Sequence, residues 1–323
     1  MGRKINESPQ GRIIVMHQPF ISICIPAYKR TAYLKRVLDS IAVQTYRHFE
    51  VIVTDDTPGK ELADFIKNLP YDFPLIYIHN DPAKGTPLNW TEGMKHAKGE
   101  WIKIIHDDDW LTDADALQHY ADAVREEVDC IFSGYVACYE AENRLVNKTI
   151  TQKKFQRIQR HPHELFASNQ IGPPSVVLFR KTMGQLYDPQ LKWLVDLEAY
   201  VTILQKFNCV YIDRPLITMS YNETQVTNDC FRNPEVEIME SLIYYQKHGD
   251  VVFSTWISYD GWWRLIRNLD IRSVDQLRSY SFGFSIPFQL KNIVQFQHYL
   301  SPLLLKNPFV SKITMFISFL IKK

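Results

Sequence analysis

Three consecutive aspartates, Asp107, Asp108 and Asp109, follow the run Trp101-Ile102-Lys103-Ile104-Ile105-His106. Carboxylates grouped so closely are suited to hold a divalent cation through hard oxygen ligands, and Mn2+ or Mg2+ matches such a set. A cation there would offset the charge that builds on a departing phosphate oxygen, so the cluster points to metal-assisted chemistry on a phosphate-bearing substrate. A second acidic pair, Asp55-Asp56, closes the run Glu50-Val51-Ile52-Val53-Thr54 and precedes the turn residues Thr57-Pro58-Gly59. Asp196 and Glu198 stand in the first turn of a helical stretch, where a carboxylate within reach of a hydroxyl could take its proton. Lys84, in Ala83-Lys84-Gly85-Thr86, and Arg180 offer positive charge for a diphosphate. His106 reads as a hydrogen-bonded structural histidine rather than a ligand.

These residues need elements to place them. Phe20 to Ile25 reads as a buried strand that Pro26-Ala27-Tyr28 interrupts, and Leu34, Val37, Leu38 and Ile41 recur at helical spacing. Strands follow at 50–54 and 75–79, with a helical stripe of Leu62, Phe65, Ile66 and Leu69 between them. Thr86-Pro87 reads as a cap and first-turn proline for a helix through about Lys98, with Gly99 as its stop, before the strand that carries the aspartates. Strands alternating with helices predict an α/β, mostly parallel sheet flanked by helices, whose ligands bind beyond the carboxyl ends of the strands. Both acidic clusters fall at that edge. A helix at 116–124, a strand at 129–136, a polar stretch near 140–160, a strand at 175–179, a helix at 194–207 and a last strand at 210–219 extend the pattern.

From about Pro234 the chain is aromatic and aliphatic at helical spacings, which predicts a smaller helical region with Trp256, Trp262 and Trp263 as packing residues. The expected organisation is an N-terminal extension at 1–19, a main domain at 20–228 and a C-terminal helical region at 229–323. The stretch from Phe309 to Lys323 is too short to span a bilayer, yet its lysines could meet anionic head groups in a peripheral contact. At 46% hydrophobic over 323 residues the chain can bury a full core, and its net charge of +1 gives no general attraction to nucleic acid. Five cysteines without a C-x-x-C spacing suit a reducing, cytoplasmic setting, and the first twenty residues lack the apolar core of a signal peptide.

The order Ile23-Cys24-Ile25-Pro26-Ala27-Tyr28-Lys29-Arg30, Val51 to Asp56, Asn89-x-x-x-Gly93-x-x-x-Ala97-x-Gly99-Glu100-Trp101-Ile102 and Asp107 to Asp109 resembles the family 2 glycosyltransferases of GT-A fold. The resemblance spans residues 20 to 225. It implies a GT-A-like domain that moves a sugar from a nucleotide-sugar donor, with inversion, to a saccharide or lipid-linked acceptor. Such enzymes build polysaccharides, lipopolysaccharide side chains and glycolipids. By the same resemblance Pro26, Ala27, Tyr28, Arg30 and Asp56 would contact base and ribose, with Asp55 the other member of its pair. Lys84 and Asn89 would flank the donor. Asp107 to Asp109 match the D-x-D region, which leaves open which carboxylate ligates the metal and which holds ribose or a metal-bound water; Asp108 is the first choice as direct metal ligand, with Asp109 as the other metal residue and Asp107 as a donor-binding one. Asp196, in Lys192-Trp193-Leu194-Val195-Asp196-Leu197-Glu198, would be the general base. The histidine that often completes the metal shell is absent from Ser220 to Thr227, where Asn222 or Glu223 would have to substitute. A sugar-phosphate nucleotidyltransferase and a catalytically silent nucleotide-sugar-binding module are the competing readings.

Overall fold

The computed structural model describes residues 5–7, 13–15, 18–221 and 230–321. A short antiparallel ribbon, β1 (Ile5–Glu7) with β2 (Ile13–Val15), precedes the main sheet. That sheet starts from β3 (Ile21–Ala27), β4 (Phe49–Asp55), β5 (Leu75–His79) and β6 (Trp101–Ile104), all parallel and in the spatial order β5-β4-β3-β6. Every residue of β3 and β4 is buried, the condition that makes a covered parallel strand read as an unbroken apolar run. The crossover helices are α1 (Thr31–Ala42), α2 (Glu61–Lys67) and α3 (Leu88–His96). In α1 the expected stripe of Leu34, Val37, Leu38 and Ile41 is wholly buried.

Three local expectations change. Pro26 does not end β3. The Cys24 carbonyl accepts the Ile105 N–H on the β6 side and the Ala27 carbonyl accepts the Asp56 N–H on the β4 side. By that alternation Pro26 turns its missing donor toward β6, beyond Cys24, the last residue paired there, and breaks no ladder bond. Thr86 makes no capping bond, and Pro87 itself precedes the helix. Gly99 is not the helix stop, since α3 is already capped at Ala97. It is the point where the chain passes so close to the next strand that a Cβ would lie 2.6 Å from the Phe20 carbonyl oxygen.

The second half is mixed. β7 (Asp109–Leu111), α4 (Ala116–Ala123), β8 (Cys130–Tyr139), β9 (Arg144–Lys148), α5 (Gln152–Arg160), β10 (Val177–Arg180), α6 (Val195–Lys206) and β11 (Cys209–Tyr221) complete the order β5-β4-β3-β6-β10-β8-β11-β7, with β9 on β8. The stretch read as merely polar thus contains a strand and a helix. β10 runs antiparallel to both neighbours, which sends Arg180 to the amino end of β6, opposite Trp101. There its guanidinium serves the carbonyls of Val128, Arg125 and Glu126 at 2.7, 2.8 and 2.9 Å, so it stands at the wrong edge to meet a diphosphate.

The C-terminal helices are α7 (Pro234–His248), α8 (Trp256–Asn268), α9 (Val274–Ser279), α10 (Phe288–His298), α11 (Pro302–Lys306) and α12 (Pro308–Ile321). A reciprocal cap between Thr255 and Ser258 starts α8. Trp262 and Trp263 are fully buried, and Trp262 stacks on Phe166 at 4.4 Å. At Gly261 a Cβ would come within 2.9 Å of the Ala167 backbone, so only glycine lets α8 close on the turn Pro162–Phe166. Gly261→Ala should cost about 1–3 kcal/mol through overpacking, measured as a lowered urea midpoint with an unchanged slope.

Candidate active site

The carboxyl ends of β3, β4 and β6 open onto a cleft of about 1030 Å³. Pro26 and Ala27 line it from the end of β3, Tyr28 and Arg30 from the loop after β3, Asp56 from just beyond β4 and Asn89 from α3. Asp107, Asp108 and Asp109 line it from the turn between β6 and β7, and Asp196 from the first turn of α6. The Asp109 N–H donates to the His106 carbonyl at 3.0 Å, closing a tight turn with Asp107 and Asp108 at its centre.

All three aspartates are buried, which is costly for carboxylates unless partners converge on them. Arg30 supplies both of its terminal nitrogens, Nη2 to Asp107 and Nη1 to Asp108 Oδ2 at 3.1 Å. The Tyr28 N–H donates to Asp107 Oδ2 at 3.2 Å. Lys29 between them holds a φ of 63°, a left-handed conformation unusual for a residue with a side chain, and its N–H donates to Thr57 Oγ1 at 2.7 Å. Burial pushes Asp107 up to about 7 even against the pull of Arg30. Asp109 is raised as well, by burial first and by the charge of Asp108 second.

Ser175 was missed as a site residue. Its hydroxyl donates to Asp109 Oδ2 at 2.5 Å and accepts the His106 N–H at 3.0 Å. Its carbonyl accepts from Lys103 Nζ, a wholly buried amino group that also meets the Val177 carbonyl at 3.3 Å and lies 4.0 Å from the Tyr120 ring. Burial drives the Lys103 pKa down, with Asp109 opposing. A lysine inside an otherwise apolar strand was the one sequence signal that could have marked this support.

His106 is not the hydrogen-bonded structural histidine that its sequence context suggested. Its ring packs on Trp90 at 4.7 Å and its Nε2 is buried without a hydrogen-bond partner among the described residues. Ligand atoms of His106, Asp108 and Asp109 all lie within 4.8 Å of one another. Burial pushes the imidazole down to about 4, which keeps it neutral with a lone pair to give. An orphaned nitrogen beside two carboxylates fits a divalent cation. Asn222 and Glu223, named as possible further ligands, lie outside the described residues.

Two expected donor contacts are placed elsewhere. Asp55 is fully buried away from the cleft, with Oδ1 accepting the Thr57 N–H and Oδ2 the Tyr77 hydroxyl, both at 2.7 Å. The Lys84 ammonium turns to Glu92 at 3.0 Å, and only its backbone N–H reaches the site, donating to Asp56 Oδ1 at 3.1 Å. Asp56 accepts also from Asn80 Nδ2 at 2.8 Å and from the Gly85 N–H at 2.7 Å, so it fastens the loop that borders the cleft. Asn89 joins this group by accepting from Asn80 at 3.0 Å.

On the far wall Asp196 accepts from Asn169 Nδ2 at 2.9 Å and from the Leu197 N–H at 2.8 Å. Burial raises it to about 6, the hydrogen bonds opposing. Its first-turn companion Glu198 points away, to Thr202 at 3.0 Å and Lys247 at 3.2 Å. The loop before Asp196 hangs on Glu240 of α7, whose carboxylate accepts the N–H groups of Lys192, Trp193 and Leu194 at 2.8, 2.9 and 2.8 Å. Nothing local in the sequence links residue 240 to that loop.

The model of the family described as Glycosyl transferase family 2 matches residues 22–183. The chain belongs to glycosyl transferase family 2. An uncharacterized glycosyltransferase of Haemophilus influenzae is 24% identical over 208 residues, which cover 62% of this family 2 chain and 68% of the relative. A GalNAc(5)-diNAcBac-PP-undecaprenol beta-1,3-glucosyltransferase of Campylobacter jejuni is 28% identical over 95 residues, 29% of this chain and 31% of that protein. Among solved structures, the mannosyltransferase PcManGT of Pyrobaculum calidifontis, in complex with GDP-Man and Mn2+, superposes with a TM-score of 0.56 at 13% identity, covering 100% of this chain and 89% of that one. The fold is therefore that of the GT-A glycosyltransferases, as the resemblance implied. In this family 2 chain Glu240→Ala would strip three N–H groups of their shared acceptor. It should lower stability by about 3 kcal/mol in urea unfolding.

Proposed function

We propose that this enzyme is an inverting, divalent-cation-dependent glycosyltransferase that passes a sugar from a nucleotide-sugar donor to a saccharide or lipid-linked acceptor, in the synthesis of cell-surface polysaccharide or glycolipid. One observation carries the reading: a single cleft has the His106, Asp108 and Asp109 cluster on one wall and the half-buried Asp196 carboxylate on the other. The GDP-Man and Mn2+ held by the Pyrobaculum neighbour agree with it. Five free cysteines and a nucleotide-sugar substrate suit the cytoplasm.

His106, Asp108 and Asp109 would hold Mn2+ or Mg2+, which when bound supplies charge stabilisation to the departing diphosphate. Arg30 pairs with Asp107 and Asp108, and a cation bound there would free its guanidinium for the donor. Asp107 keeps Tyr28 and its loop in place through the Tyr28 N–H, and that loop with Asp56 receives base and ribose. Asp196 takes the proton of the acceptor hydroxyl while that oxygen bonds to the anomeric carbon and the bond from this carbon to the diphosphate oxygen breaks. A single displacement of this kind inverts the carbon. Asn169 orients Asp196 and stabilises its charged form.

Asp196→Asn should bind donor normally and lose about 10²- to 10⁴-fold in kcat. Normal turnover would remove Asp196 as the base. The base must be ionised, and burial raises it to about 6, so kcat/KM should climb with pH through about 6 and level off above it. Asn169→Leu removes a bond that favours the ionised form, so that limb should move to higher pH. Donor binding without release of nucleoside diphosphate, at any Mn2+ or Mg2+ concentration and with any acceptor, would instead support a silent binding module.

A further inference from the structure

Helix α12 is built inside out. The residues it turns to the protein are Ser311, Met315 and Ser318, all buried, whereas Phe309, Ile313, Phe316, Ile317, Leu320 and Ile321 face solvent with 42% to 74% of their surface exposed. A helix held on a protein by apolar burial shows the reverse pattern. Here the inner face is held by the core packing of Met315 and Phe319 and, at its two serines, by hydrogen bonds. Ser311 Oγ accepts from Trp263 Nε1 at 3.0 Å and from Arg267 Nη1 at 3.1 Å, and Ser318 Oγ meets the Tyr259 hydroxyl at 2.7 Å. Rolling the helix over to hide its apolar side would take Ser311 away from the buried Trp263 indole N–H. The apolar side is thereby kept outward, and ahead of it in the chain Leu303 at 81% and Tyr299 at 86% are exposed as well. An exposed apolar surface of that kind marks an interaction site.

Charge says what covers it. From Gln276 to Lys323 there is no aspartate or glutamate, while Arg278, Lys291, Lys306, Lys312, Lys322 and Lys323 give six positive charges, of which Arg278 is answered by Asp275 at 2.6 Å. The whole chain carries only +1, so the remainder is at −5 and the basic charge is gathered on this one region. Lys306 is exposed. Lys312 lies over the half-exposed Trp256 at 4.8 Å and also meets Asp260 at 3.2 Å, so part of its charge is answered within the protein. Apolar side chains flanked by lysines and ring residues match the boundary between head groups and acyl chains of an anionic bilayer. The 14 residues of α12 extend about 21 Å, short of the roughly 30 Å hydrocarbon layer, and no helix of the described residues is long and apolar enough to cross a membrane. We infer that the outer face of α11 and α12 docks in the plane of an anionic lipid surface.

The test is sedimentation of the full chain with vesicles, without any sugar nucleotide, so that its failure and a failure of the proposed transfer are told apart. Wild type should partition onto phosphatidylcholine vesicles containing 30% phosphatidylglycerol at least tenfold more than onto pure phosphatidylcholine, and the gain should shrink at high salt. The double variant Phe316→Asp with Leu320→Asp should lose at least tenfold in partitioning while keeping its melting temperature, because both side chains are exposed. Wild type left in the supernatant, or equal partitioning of the double variant, would overturn the inference. So would a vesicle-free dimer that the double variant splits without any lipid binding, which would assign the face to a second copy of the chain.

Discussion

Three adjacent carboxylates buried in one turn are the constraint on which the rest of this site depends. Each ion taken from water without compensation is strongly unfavourable, so partners from distant parts of the chain have to meet there. Arg30 and the Tyr28 N–H arrive from the loop after β3, with Lys29 in a left-handed conformation that the loop imposes. Ser175 arrives from the turn ahead of β10 and is itself held by the buried amino group of Lys103. Burial still holds Asp107 and Asp109 above the usual carboxylate range, and His106 Nε2 beside them has no hydrogen-bond partner among the described residues. The proposed cation would supply positive charge to that turn.

The parallel half of the sheet was legible because its strands are buried on both faces and its helices present simple stripes, both local properties. Direction was not legible for β10, since whether an isolated apolar run lies parallel or antiparallel is decided by strands far away in sequence. The stretch at 140–160 hid a helix because α5 buries only Phe155 and Ile158, too few positions to show a period. Asp55 and Asp56 are instructive. Neighbours at a strand end point to opposite faces, so only one of the pair could enter the cleft, and the alternation leaves Asp56 there. Arg30 was read as a nucleotide contact, and its engagement with Asp107 and Asp108 depends on a pairing 77 and 78 residues apart that no local pattern carries.

The wall that bears Asp196 depends on residues beyond the segment matched by the family model. Glu240 of α7 fixes the loop at 192–194, and α8 closes on the turn that contributes Leu165 and Phe166 to the cleft. The C-terminal helices are thus part of the scaffold of the candidate site on one side, and on another they present an apolar, basic face. A substrate carried on a lipid would reach an enzyme held at the same surface, which links the two properties without requiring either.

The most direct measurement is a Mn2+ titration followed by electron paramagnetic resonance, with and without a nucleoside diphosphate, on wild type and Asp108→Ala. With Arg30 occupying the carboxylates of the free enzyme, wild type should take up one Mn2+ per chain far more tightly when the diphosphate is present, and Asp108→Ala should lose that uptake. Absence of Mn2+ uptake by wild type under both conditions, or undiminished uptake by Asp108→Ala, would contradict the assignment of this cluster as a cation site.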